Sequence, residues 1–235
     1  MKPAYAPVFE LDQDAVRCPY PHFEKARREE PVSWYPDGNF WVVTSYDLIT
    51  EVLKKPNLYS NKQQVGKRAD EIWQKMVRFA AEDPSLPKKV DGYGSRARRA
   101  MMMTDPPENE AHRSLVTGWL LGKQIKAQEP VFRRTAREHV DGLLGRPEIE
   151  FCQEFGDPYS MAIIADILGL PKEHRPRLME WTKDINAMMG NDRISDEEIR
   201  TLSRGRFEFD AYFAEVILDR RANPRDDLST AIVEN

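Results

Sequence analysis

Met101-Met102-Met103-Thr104-Asp105-Pro106-Pro107-Glu108-Asn109-Glu110-Ala111-His112-Arg113 is the stretch on which the fold turns. Two consecutive prolines set an extended approach and then a helix start, because proline is tolerated only in a helix's first turn. Pro107 keeps Pro106 out of helical geometry, so the spacing predicts a helix from about Pro107. Glu108 and Glu110 fall in its first turn, where the peptide dipoles favour anions. At about 100° per residue, Ala111, Leu115, Trp119, His112, Val116 and Leu120 share one broad apolar arc. Asn109 lies inside that arc and Arg113 at its edge. A guanidinium half-buried there needs an anion, since an unpaired buried charge is costly. Three arrangements satisfy it: a carboxylate of the protein itself, a snorkelling head in water, or a ligand carboxylate gripped by the planar arginine fork. His112, in the middle of the arc, is either a satisfied core residue or a ligand contact.

Downstream of this helix the pattern stays helical. Gly122 separates Asn109 to Leu120 from Lys123 to Leu144, which Pro130 is expected to interrupt. A brief extended piece, Ile149-Glu150-Phe151, precedes the strongly apolar Pro158 to Leu168, expected to be buried on most sides and ended by Gly169-Leu170-Pro171. Lys172 to Met189 carries a stripe of Leu178, Trp181, Ile185 and Met188. Ser195 and Glu198 form a capping box that opens a long helix to about Ala222, and another begins near Asp226-Asp227.

Upstream, residues 1–19 read as irregular and Pro21 to Glu30 as a short helix. Val32-Ser33-Trp34-Tyr35 and Phe40-Trp41-Val42-Val43-Thr44 flank Pro36-Asp37-Gly38-Asn39, which predicts a hairpin. Ser45 caps a helix from Tyr46 to Lys55, stopped by Pro56. Asp70 to Ala81 has helical spacing inside a long polar stretch, residues 57–103, of the kind that forms a lid or binding loop. The fold class expected is mainly α with a small N-terminal β hairpin, in a single domain over 1–235.

Composition narrows the function. The chain has 235 residues, 31% of them charged, with a net charge of −4. No apolar run approaches the ~20 residues that a spanning helix needs, so no membrane role is expected. Non-specific nucleic-acid binding is not expected from a net acidic chain. Charge is uneven: residues 1–100 carry 17 Lys and Arg against 14 Asp and Glu, the remainder 18 against 25. Lys88, Lys89, Arg96, Arg98 and Arg99 hold much of the excess, as a solvated loop or as a contact patch for an acidic partner. Two distant cysteines, Cys18 and Cys152, and no readable secretory signal favour a cytoplasmic location. No phosphate loop, zinc spacing or nucleophile elbow is present, and the four histidines are scattered, so no metal site made by protein alone is expected.

Several segments, in order, resemble the soluble bacterial cytochrome P450 family. Asp105-Pro106-Pro107-Glu108 with Arg113 resembles its C helix. Phe40 through Tyr46, then Val52-Leu53, Pro56 and Tyr59-Ser60, resembles its first hairpin, B helix and following turn. Ile164-Ala165-Asp166-Ile167-Leu168-Gly169-Leu170-Pro171 resembles its E helix, and Tyr212-Phe213 through Arg220-Arg221, Pro224 and Asp226-Asp227-Leu228 resembles the end of its G helix.

The resemblance implies a cytochrome P450-like fold, truncated before the loop that carries the haem thiolate ligand. It implies a haem-thiolate monooxygenase inserting oxygen from O2 into an apolar small molecule, fed by a redox partner such as a ferredoxin and its reductase. Arg113 matches the family's propionate-binding arginine. Asn109 stands where the family usually has a histidine, and His112 is a third candidate contact. Neither Cys18 nor Cys152 matches the ligand position. The regions that shape substrate access in the family correspond to about Gln63 to Met103 and Ala187 to Ile194. Met101, Met102, Met103, Met188 and Met189 fall there, as core fillers or as an adaptable apolar lining. The alternative reading is a haem-free truncated homologue acting as a helical binding module.

Overall fold

The computed structural model describes residues 2–62, 69–86, 101–121, 123–188 and 194–234. Its amino end is an aromatic cap on a hairpin. Two short helices, α1 (Ala6–Phe9) and α2 (Gln13–Arg17), replace the irregular segment expected there. Pro7 sits in the first turn of α1, where its missing N–H costs nothing. The Asp12 side chain caps α2 by accepting from the Ala15 N–H at 3.0 Å. Then come α3 (Tyr20–Glu29), β1 (Val32–Tyr35) and β2 (Phe40–Val43). The strands pair antiparallel with Trp34 opposite Trp41 and Tyr35 opposite Phe40, as the turn residues predict. Tyr5, Ala6, Ala26 and Tyr35 form the core on one face. The Tyr5 hydroxyl lies 2.9 Å from Ser33 Oγ, which satisfies two buried polar groups. The opposite face leaves Val32, Trp34 and Trp41 exposed.

Ser45 caps α4 (Tyr46–Leu53) by accepting from the Leu48 N–H at 3.4 Å. α5 (Ala69–Glu82) covers the helix expected around Asp70 to Ala81. α6 (Glu108–Leu120) starts one residue after the cis Pro106–Pro107 bond. α7 (Lys123–Asp141) runs through Pro130 without the expected interruption. Proline removes a single N–H, and ordinary helical bonding resumes on either side of it. Ile149 to Phe151 forms no strand. Phe151 is already helical, a π-helical turn Cys152–Gly156 follows, and α8 (Asp157–Ile167) continues from it. α8 is less covered than its composition suggests: Ala162, Ala165 and Ile167 are buried, but Ile164 is half exposed.

α9 (Arg175–Met188) and α10 (Asp196–Ala222) form the largest helical layer with α5 and α8. Leu178 and Trp181 of α9 pack with Ala165, Leu170, Phe209, Tyr212 and Phe213. The Ser195–Glu198 capping box is formed, as expected. α5 lies on α10 through Ile72, Met76, Phe79 and Ile199, joined by Ile194. Ion pairs run along that seam: Lys75–Asp196 at 2.6 Å, Arg204–Asp83 at 3.0 Å and Arg200–Glu82 at 3.2 Å.

The far end of α10 is pinned by a buried charge. Arg220 is 3% exposed and donates to Asp227 Oδ2 at 2.7 Å and to the Gly169 carbonyl at 2.7 Å. Asp227 in turn accepts from the Thr230 N–H in α11 (Leu228–Glu234) at 2.8 Å. Gly169 has φ +67°, and a Cβ there would lie 2.0 Å from Asp227 Oδ2, so glycine is required on both counts. Cys18 and Cys152 are free and exposed. Among the described residues no helix is long and apolar enough to cross a membrane, and no cluster of ligating side chains could hold a metal ion.

Candidate functional site

α6 carries the residues with the most definite chemistry. Its half-buried positions are Asn109, His112, Leu115, Val116 and Trp119, which share one face. Ala111 and Leu120, expected on the same arc, are exposed, and no residue of α6 is fully buried. The apolar arc is real but narrower than the spacing predicts, because only part of it has a neighbour among the described residues. α11, α7 and the 3₁₀ turn Met101–Met103 are packed against α6.

Arg113 is exposed. Among the described residues no carboxylate pairs with its guanidinium. Beyond the helix ladder, its carbonyl accepts from Thr117 Oγ1 at 2.7 Å. The internal ion pair that the sequence allows for this arginine is therefore not formed among the described residues. The ring nitrogens of His112 make no hydrogen bond among the described residues either.

Asn109 is committed elsewhere. Its Nδ2 donates to the Met101 carbonyl at 2.7 Å. The same carbonyl accepts from Thr104 Oγ1 at 2.8 Å and from the Thr104 N–H at 3.4 Å, and Thr104 is 1% exposed. Asp105 extends this knot. Its carboxylate accepts from Ser60 Oγ at 2.6 Å and from the Asn61 N–H at 2.7 Å, with Lys62 Nζ at 3.8 Å. The turn after α4 is thereby tied to the approach to α6 across more than forty residues of chain. Sequence reasoning took Asp105 only as part of a motif and missed this role. No local signal marks it, because its partners lie more than forty residues upstream.

Met101 and Met102 are exposed on the 3₁₀ turn and Met103 is half-buried. The Met188 side chain, Met189 and the basic run Lys88 to Arg99 lie outside the described residues, as does part of the region 57–103. A shallow apolar groove of about 270 Å³ lies at the end of α7, lined by Val140, Leu143, Leu144, Phe151 and Phe155 among others. It contains none of the cofactor or substrate candidates read from the sequence. The structure thus brings Asn109, Met101 and Met102 together at the start of α6. Arg113 stands one helical turn further on.

The donor set fits a carboxylate-bearing cofactor such as haem at one point. Arg113 offers a fork with no anion on it among the described residues, beside the half-buried face of Leu115, Val116 and Trp119. Asn109 fits less well, since a protein carbonyl already holds its amide.

Comparison with known proteins agrees with this architecture. No family model matches the chain. Cytochrome P450 109 of Bacillus spizizenii is 25% identical over 232 residues, which cover 97% of this chain and 49% of the relative. The methyl-branched lipid omega-hydroxylase of Mycobacterium tuberculosis is 25% identical over 225 residues, covering 90% and 47%. Among solved structures, cytochrome P450 CYP109Q5 from Chondromyces apiculatus is 29% identical, with a TM-score of 0.68 over 93% of this chain and 48% of that one. Cytochrome P450 CREJ, in complex with (4-ethylphenyl) dihydrogen phosphate, shares the fold at 22% identity with a TM-score of 0.76. The chain spans about half the length of the curated relatives it matches. Over nearly all of its own residues it matches bacterial cytochromes P450 in sequence, and it has the fold of about half of a cytochrome P450.

Proposed function

We propose that these residues are the N-terminal portion of a haem-thiolate monooxygenase that inserts one oxygen of O2 into an apolar small molecule. Haem, when bound, supplies the oxygen-activating chemistry, and its thiolate ligand comes from outside these 235 residues. Arg113 holds a propionate by a charge-assisted fork. Leu115, Val116 and Trp119 give the porphyrin edge an apolar wall, and His112 is a second polar contact on that face. Met101 and Met102 line the substrate side, where unbranched thioethers adapt to apolar shapes. Electrons arrive from a partner of the ferredoxin and reductase type. The free, exposed thiols support a cytoplasmic location.

The observation that carries this reading is the guanidinium of Arg113, without a carboxylate among the described residues on a helix whose apolar face is half covered. Hemin titration, followed by absorbance and by quenching of the five tryptophans, tests it. The 235-residue chain should bind hemin without the ferrous–CO spectrum of thiolate ligation. Arg113→Ala should weaken binding by roughly 1–3 kcal/mol, as expected for a hydrogen bond to a charged group. Equal affinity in the parent and the variant removes Arg113 from the site and favours the reading as a haem-free interaction module.

A further inference from the structure

We propose that Asn109 is a positioning residue for the substrate-side turn Met101–Met103, and that it does not contact the cofactor. This rests on the reading of α6 as a cofactor helix, because it divides that helix's polar groups between two tasks. The resemblance to the cytochrome P450 family implies a histidine at this position. Here a shorter carboxamide stands in its place, and its donor points back along the chain.

The geometry leaves one orientation of the amide. Its partner is a carbonyl, so the group 2.7 Å away must be the NH2. The Met101 carbonyl also takes both Thr104 donors, Oγ1 at 2.8 Å and N–H at 3.4 Å. Those three bonds close the 3₁₀ turn onto the start of α6. Thr104 is 1% exposed at the centre of the knot. Asp105 clamps the next residues to Ser60 and Asn61. Met101 and Met102 project from the turn with side chains exposed, so their position depends on the knot beneath them. Asn109 links that knot to the helix that also presents Arg113. Loss of its donor frees the methionines while Arg113 stays on its helix.

Asn109→Asp tests this cleanly. The carboxylate has the same shape, cannot donate, and is repelled by the Met101 carbonyl. A carboxylate in the first turn of a helix is favourable, so α6 itself should persist. The Thr104 amide should exchange with solvent roughly three- to tenfold faster, the worth of one hydrogen bond, while amides in the middle of α6 keep their protection. Methyl resonances of Met101 and Met102 should shift in Asn109→Asp and Asn109→Ala. Asn109→Gln, which keeps the donor, should restore them in part. Hemin affinity of Asn109→Ala should stay within about twofold of the parent, while Arg113→Ala lowers it.

Unchanged Thr104 exchange in Asn109→Asp overturns the proposal. So does a loss of hemin affinity in Asn109→Ala equal to that of Arg113→Ala, which would make Asn109 a cofactor contact. Faster Thr104 exchange together with an Arg113→Ala variant that binds hemin normally would leave the positioning role standing and remove the haem assignment of α6. Should the chain bind no hemin, the exchange and methyl measurements decide the matter alone.

Discussion

Ile72, Met76 and Phe79 on α5 are between 4% and 8% exposed, and Ile199 on the facing α10 is fully buried. On α6 the corresponding apolar residues Leu115, Val116 and Trp119 are only half-buried, and Leu120 is 38% exposed. Both helices carry apolar residues at helical spacing. They differ in whether the described chain supplies what covers them. The α5–α10 seam is complete, with a packed centre, three flanking ion pairs and the Arg200 guanidinium 4.0 Å above the Phe79 ring. Among the described residues the face of α6 is incomplete, and its edge presents a cation with no anion. The proposed site lies on the open face, and the closed seam belongs to the scaffold that holds it.

Deleting matched side chains separates the two faces most directly. Ile199→Ala opens a cavity in a filled seam and should cost about 2–5 kcal/mol in urea unfolding. A cost below about 1 kcal/mol would mean that α5 is loosely held and that the seam is no scaffold. Next in size is the start of α10, beside that seam. Ser195→Ala removes a helix cap and should cost about 1 kcal/mol. The Glu198 carboxyl is held below its ordinary value, first by the Ser195 side-chain O–H and then by the Ser195 N–H. A carboxyl lowered on folding adds stability that is present above its unfolded pKa and lost as pH falls through the folded value. The capping contribution should therefore be complete at neutral pH and fade below the usual carboxylate range. Glu198→Gln should flatten that dependence, which a pH series of unfolding midpoints reads. Leu115→Ala, on the open face of α6, should cost no more than about 1 kcal/mol. A loss as large as that of Ile199→Ala would show that α6 is already covered.

Much of the scaffold was legible because its signals are local. The hairpin follows from aromatic and β-branched runs around Pro36 to Asn39, and the start of α10 from Ser195 and Glu198 three residues apart. α1 and α2 were not legible, because they are too short to form on propensity alone and depend on packing around Tyr5. The continuity of α7 through Pro130 was not legible either, since the rule that proline breaks helices omits how well the flanking turns hold. The candidate site was legible where side chains act on one another's faces: the 3.6-residue period puts Arg113 at the rim of the α6 arc. It was illegible where main chain takes part. The partner of Asn109 is the Met101 carbonyl and that of Asp105 is in part the Asn61 N–H, groups present at nearly every position and so without a sequence signature.

Arg113 separates the two faces most finely. Arg113→Ala should leave the stability of the chain within about 0.5 kcal/mol of the parent, because the guanidinium is exposed and makes no ion pair among the described residues. A scaffold arginine behaves in the opposite way. Truncating Arg220 would strand Asp227, whose side chain is 5% exposed, at a cost of several kcal/mol. Two arginines of one chain should thus differ widely in unfolding. The one that matters little for folding should be the one that matters for binding. Urea titration of Arg113→Ala beside its hemin titration gives both numbers. A large loss of stability would mean that the side chain has a structural partner, and would leave the open face of α6 without the anion-binding group that marks it as a site.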